Sequence, residues 1–246
     1  MFIPSLLVII GFMIVHIFTN AIKRLEKRMT NRLVSLVSGG SIAYVLLHLV
    51  PELTHYQDVA HKAALVPWLE KVDYVTYMSA LLGVAVFYGI NQLSEKSERE
   101  NRRKENLTRP SVPVFVLEIS AFALYNGLIG YLLQELSGDN IAAYVVYFIV
   151  FSFHFIANNR ILHLTHEDLY TRIGRWVLAF SVLAGWILYE VTHASDLTLA
   201  FMSSFLTGGV VLNILNDELP EERESSFPAF IVGMIFIAVL LQVIIV

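Results

Sequence analysis

The chain reads as an all-α, polytopic membrane protein with eight transmembrane helices, and three observations predict this. Of its 246 residues, 56% are apolar and only 15% charged, whereas a soluble domain carries ~25% charged residues. The apolar residues gather into eight stretches close to the roughly 20 residues that span a bilayer. The basic residues collect in alternate connections between those stretches. The runs are continuously apolar rather than alternating, which favours helices over a closed barrel. Composition thus excludes an ordinary soluble enzyme. The lack of Cys excludes a disulfide scaffold and thiolate chemistry, and a net charge of −4 excludes a typical nucleic-acid partner.

Taken in order, the spans are expected at about residues 2–22, 33–50, 74–93, 111–134, 141–160, 174–191, 197–216 and 227–246. Together they form a single transmembrane domain over 1–246. The fourth carries one internal charge, Glu118, and the sixth is the shortest, with Glu190 near its end. Lys23, Arg24, Lys27, Arg28 and Arg32 follow the first apolar run instead of preceding it. That order is the reverse of a secretory signal, so the first span is read as retained.

Orientation follows from the same charges. The connections after spans 1, 3, 5 and 7 hold 15 of the 17 Lys and Arg, and the others hold only Lys62 and Lys71. The positive-inside rule makes the basic side cytoplasmic and leaves both termini extracytoplasmic. An integral protein of the plasma membrane is the expected setting, with the lipid bilayer as its partner. Residues 94–110 read as a charged cytoplasmic loop. Glu95, Glu98, Glu100 and Glu105 offset its basic residues, so nucleic acid is not its partner.

The chain has two Gly-Gly pairs, Gly39-Gly40 and Gly208-Gly209, and two Pro-Glu pairs, Pro51-Glu52 and Pro220-Glu221. In each half ten residues separate the two pairs, and both Pro-Glu pairs are expected at helix boundaries. The spans that carry them run in opposite directions across the bilayer. Matching segments of opposite direction mark an inverted repeat, here spans 1–3 against spans 6–8 with spans 4 and 5 between them. A shared packing motif of small residues before a Pro is the simpler alternative.

Polar residues at membrane depth are costly, about 2.5–3.5 kcal/mol for an ionised one, and are candidates for function. Glu118, Phe122 and Asn126 lie four apart on one face of span 4. His154 and Asn158 are again four apart on span 5, with Asn159 beside them. If the two spans pack antiparallel, these faces meet. The alternative is a hydrogen-bond network that only fixes packing. His16, alone on span 1, reads as a satisfied core residue. His163, His166, Glu167 and Asp168 offer zinc-ligand types, though a solvated loop is the commoner meaning. His55, His61 and His193 fall in outer loops.

His48-Leu49-Val50-Pro51-Glu52 and Asp217-Glu218-Leu219-Pro220-Glu221-Glu222 resemble segments of the ZIP (Zrt/Irt-like) metal transporters, as do the eight spans and the basic loop. The resemblance implies a permease that moves Zn²⁺ or a similar dication between spans 4 and 5, needs no resident cofactor and allows a homodimer. It places Asn126, His154, Asn158 and Asn159 at metal-motif positions, and Glu118 is the remaining inward carboxylate that could join them. His48 could serve as an entrance ligand or simply cap and pack around Pro51. The family's metal motifs are degenerate here. Phe122 and Asn126 stand for a His and a carboxylate, and His154-Phe155-Ile156-Ala157-Asn158-Asn159 keeps only the first His. A dication in a poorly solvated site needs anionic ligands, so the expected site is a weak one that binds its substrate only transiently. The competing expectation is a non-transporting protein of the same fold, serving as sensor, partner or structural subunit. An intramembrane zinc hydrolase is disfavoured, because no three His residues converge at one depth. No enzyme activity is expected.

Overall fold

The computed structural model describes residues 2–18, 31–62, 74–105, 109–192, 194–218 and 226–245. Among these the chain is all-helical, without a strand. The helices are α1 (Phe2–Ile17), α2 (Asn31–Tyr44), α3 (Val50–Lys62), α4 (Val75–Glu105), α5 (Val112–Ser137), α6 (Ile141–Thr165), the single turn α7 (Glu167–Leu169), α8 (Arg175–Val191), α9 (Asp196–Asn213) and α10 (Phe227–Ile245). Wide π-helical turns join α2 to α3 (Val45–Leu49) and α7 to α8 (Tyr170–Gly174), and a third follows α9 (Ile214–Glu218).

Among the described residues, five stretches are long and apolar enough to cross a membrane: Ser35–Lys62, Val112–Glu135, Ile141–Thr165, Glu167–Val191 and Asp196–Asn216. Phe2–Ile17 and Phe227–Val243 are shorter apolar helices. Large apolar side chains such as Leu46, Leu81, Leu124, Phe180 and Phe236 point outward, while Glu118, His16, His154 and several amides are buried. An apolar outer surface around an apolar core that also holds several polar groups suits a protein whose outer solvent is hydrocarbon.

Three expected boundaries are corrected. Pro51 does not end its helix, which continues to Lys62 and carries His55 and His61 as helical residues rather than loop residues. The π-helical turn just before Pro51, closed by the Val50 N–H to the Val45 carbonyl, widens the helix where a proline lacks its own N–H and crowds the preceding turn. Residues 94–105, expected as loop, are helical. Ion pairs Glu95–Arg99, Glu98–Arg102 and Glu100–Lys104, each with Glu four residues before its cation, support that water-exposed extension. The sixth span extends back to Glu167 through the π-helical turn at Tyr170–Gly174. Residues 19–30, His193 and the segment containing Pro220-Glu221 lie outside the described residues.

Between α5 and α6 the reversal is tight. Gly138 takes φ 53°, a backbone region that favours glycine, and its N–H caps the Gln134 carbonyl. Asn140 then accepts the Ala142 N–H and starts α6. The two helices that carry the candidate site are therefore antiparallel neighbours.

Glycines set the closest helix pairs. A Cβ on Gly39 of α2 would stand 2.0 Å from the Phe230 carbonyl oxygen of α10, and one on Gly233 would stand 1.8 Å from that of Leu36. On the opposite pair, a Cβ on Gly208 of α9 would stand 1.9 Å from the Ala80 oxygen of α4, and one on Gly83 would stand 2.2 Å from that of Phe205. In both pairs each glycine faces a carbonyl three residues before its partner glycine. Contacts of Ser35 with Ser226 and of Gly40 with Ile237 make α2 and α10 parallel. Contacts of Ser79 with Phe201 and of Phe87 with Gly209 make α4 and α9 parallel. The π-helical turns begin at Val45 and Ile214, each six residues after Gly39 or Gly208.

These backbones have no room for a methyl group. Gly83→Ala and Gly233→Ala should each cost ~1–3 kcal/mol through forced separation of the helices. Thermal unfolding in detergent should show this as a midpoint lowered by several degrees. Gly89→Ala, which meets nothing within 4 Å, should leave the midpoint unchanged or slightly raised.

Candidate functional site

Three polar groups occupy the contacts among α1, α5, α6 and the turn before α8. In the first, His154 of α6 receives the Tyr125 hydroxyl (2.7 Å) and the Asn158 side-chain amide (3.0 Å) on the same nitrogen, Nε2. In the tautomer that carries its proton on Nδ1, the Nε2 lone pair accepts from both the Asn158 amide and the Tyr125 hydroxyl. In the second, His16 Nδ1 donates to Asn159 Oδ1 at 2.9 Å, and the Asn126 amide approaches His16 Nε2 at 3.5 Å. In the third, Glu118 of α5 accepts from His166 Nε2, and both side chains are almost fully buried.

Phe155 separates the first two groups. Its fully buried ring packs against His16 (4.5 Å between centroids) and Phe12 (4.9 Å), with His154 at 6.2 Å. Phe122, expected to share the face of Glu118 and Asn126, packs against Phe87 and Tyr125. The interior thus alternates neutral polar groups with aromatic plates.

A cleft of about 1070 Å³ enters this region from the end of the bundle where the charged extension of α4 lies. Glu95 and Arg99 line its outer part, and Glu118, Phe122, Asn158 and Asn216 line its inner part. Phe122 is ten residues from the start of α5, which at 1.5 Å per residue is about 15 Å of helix, half of a ~30 Å hydrocarbon core. The cleft therefore reaches mid-helix depth.

The buried amides are only partly satisfied. Asn126 Oδ1, Asn158 Oδ1, Asn159 Nδ2 and both side-chain atoms of Asn213 have no protein partner among the described residues. Gly209, Asn213 and Asn216 follow one face of α9 and its π-helical turn. A Cβ on Gly209 would meet the Tyr125 ring, and Asn216 shares the cleft with Asn158, which brings Asn213 towards the same region. Buried polar atoms without a protein partner are ones that water or a polar solute can satisfy, and of these residues Asn158 lines the cleft.

Of the residues expected from sequence, His154 and Asn158 meet each other directly, while Asn126 and Asn159 meet through His16. Glu118 shares the cleft with Asn158 but is held by His166. His48 stays apart on the π-helical turn, half-buried beside the Tyr44 ring. The cluster of His163, His166, Glu167 and Asp168 divides: both histidines are buried, while both acids are exposed. Tyr125, Asn213 and Asn216 join the site without standing out in the sequence. An Asn inside an otherwise apolar run is the available signal for the last two. No group of three or more His, Asp or Glu among the described residues is placed to hold a metal ion. A dication here would be held by neutral oxygens and nitrogens with Glu118 as the nearby charge.

The Glu118–His166 contact has a specific energetic consequence. Removing one partner leaves the other buried and unpaired, which costs ~3–5 kcal/mol, whereas replacing both with apolar residues is close to neutral. His166→Leu and Glu118→Leu should each markedly lower the unfolding midpoint in detergent. The double variant should recover most of the loss, and additive losses would deny the coupling.

No known protein family, curated protein or solved structure matches this chain.

Proposed function

We propose that the chain is a ZIP-like membrane permease that carries a divalent metal cation, zinc or a similar ion, through a weakened and largely neutral site. The observation that carries this reading is the cleft, which extends from the charged end to Glu118 and Asn158 at mid-helix depth. On the positive-inside rule that end is cytoplasmic, so the protein is open inward, with both termini outside at the plasma membrane.

An eight-span inverted repeat accounts for the paired glycine contacts. Adding 169 to Gly39, Leu36 and the turn Val45–Leu49 lands on Gly208, Phe205 and the turn Ile214–Glu218. Adding 150 to Gly83 and Ala80 lands on Gly233 and Phe230. Parallel pairing of α2 with α10 and of α4 with α9 also agrees with spans that alternate in direction, since even spans then run one way and odd spans the other. Such architecture places substrate at the centre of the bilayer between the halves.

With a single carboxylate near the site, desolvation of a dication is poorly offset, so affinity is low and waters complete the ion's shell. Weak binding is compatible with passage. The second reading is a non-transporting protein of the same fold, acting as sensor, partner or structural subunit. It draws on Phe155, whose fully buried ring packs against His16 with His154 nearby.

Reconstitution into liposomes separates the two readings. A permease should give saturable Zn²⁺ entry above protein-free vesicles, and Glu118→Ala and His154→Ala should each lower it about tenfold. Entry equal to that of protein-free vesicles, or rates unchanged in both variants, would contradict the permease reading.

A further inference from the structure

Beside the cleft, at the same charged end, a second hollow of about 490 Å³ opens where the end of α4, residues 109–112 and the turn from α6 into α8 meet. Arg109 and Arg172 line it, and Asp168 is its acid. His166 forms part of its wall, with Nε2 already committed to Glu118 on the far side. The backbone that carries Arg109 is fixed from α4, because the Asn101 side chain donates to the Arg109 carbonyl at 2.9 Å.

The charge is unbalanced. Arg109 comes only within 3.9 Å of Asp168, with both side chains largely exposed, so solvent weakens that pair. Arg172, also exposed, has no ion pair or hydrogen bond among the described residues. Two guanidinium groups, each with a planar fork of donors suited to phosphate oxygens, thus face one cavity against a single acid. The lip of the hollow is apolar. Val112 lines it, and Val112, Val116 and Ile173 are exposed along the adjacent starts of α5 and α8.

We propose that this hollow binds a phosphate-bearing anion, with Arg109 and Arg172 as its ligands, and that the phosphate belongs to an anionic phospholipid of the adjoining leaflet. A lipid satisfies both halves of the site: the phosphodiester meets the arginines, and the acyl chains lie along Val112, Val116 and Ile173. A free phosphate satisfies only the first. Basic pockets at the ends of transmembrane helices bind lipid headgroups by this chemistry. The inference is independent of transport, because it needs only helices in a bilayer with this end at its surface. Since His166 borders the hollow and holds Glu118, the lipid would sit one side chain away from the cleft.

The test is mass spectrometry of the intact protein from neutral detergent under conditions that keep bound lipid. Dioctanoyl phosphatidylglycerol, dioctanoyl phosphatidylcholine and sodium phosphate are offered as separate probes. The wild type should retain phosphatidylglycerol in preference to phosphatidylcholine, and equimolar sodium phosphate should not displace it. At about fivefold per arginine, Arg109→Gln with Arg172→Gln should weaken retention roughly 25-fold. Arg172→Lys, which keeps the charge and loses the fork, should retain more than Arg172→Gln and less than the wild type. Arg103→Gln, which is exposed on α4 but outside the hollow, should keep all of it. Asp168→Asn should strengthen retention by releasing Arg109, an effect that damage to the fold would not produce. Equal retention of both lipids, unchanged retention in the double glutamine variant, or a loss matched by Arg103→Gln would overturn the proposal. Displacement by equimolar phosphate would overturn the lipid source.

Discussion

Hydrocarbon offers no hydrogen bonds, so a polar side chain inside this bundle is costly unless protein or water supplies a partner. That constraint explains the arrangement of α1, α5 and α6. His16 bridges Asn126 and Asn159 on two other helices, His154 gathers Tyr125 and Asn158, and Glu118 is matched by His166 across the turn before α8. Apart from the Asn158–His154 bond within α6, these contacts tie separate elements together, where apolar packing alone distinguishes poorly between helix–helix and helix–lipid contact. The glycine pairs contribute the other half of the solution, bringing backbones so close that dispersion forces act over long stretches of α2 with α10 and α4 with α9.

The same interior limits the chemistry. Two imidazoles and four amides provide hydrogen bonds and weak ligand atoms without fixed charge, and the buried carboxylate is already engaged. A site of this kind would hold a cation poorly, because little fixed charge offsets the ion's desolvation. Asn158 is the point where the two properties meet. It belongs to the buried histidine group and also to the wall of the cleft, so polar bonding and solvent access converge on one side chain.

Much of the helical architecture is legible in the sequence because apolar run length is a local signal. The reversal at Gly138-Asp139-Asn140 is equally readable from its turn residues. What misleads is the meaning of single residues. Pro51 normally stops a helix, but a π-helical turn absorbs it, and no local pattern announces that turn. The charges of 94–105 suggest a loop, although their four-residue spacing already favours a helix. In the candidate site, Asn126, His154, Asn158 and Asn159 stand out as polar residues within apolar runs. Their partners do not. His16 is 110 residues from Asn126, and His166 is 48 from Glu118, so only the folded chain reveals those pairings. Tyr125 gives no signal, because a tyrosine is ordinary in an apolar helix until its hydroxyl acquires a buried acceptor.

Passage through the bundle requires water to enter from the arginine-rich end as far as α6, and the absence of Cys makes that directly measurable. Asn158→Cys, reconstituted in sealed vesicles of known orientation, can be challenged with a charged, membrane-impermeant thiol reagent from either side. Clear labelling from the arginine-rich side, slower than at an exposed control such as Glu95→Cys, with none from the other side, is the predicted result. A thiol at position 158 that is inert from both sides, in a protein that still unfolds cooperatively, would mean that the bundle is dry at its centre.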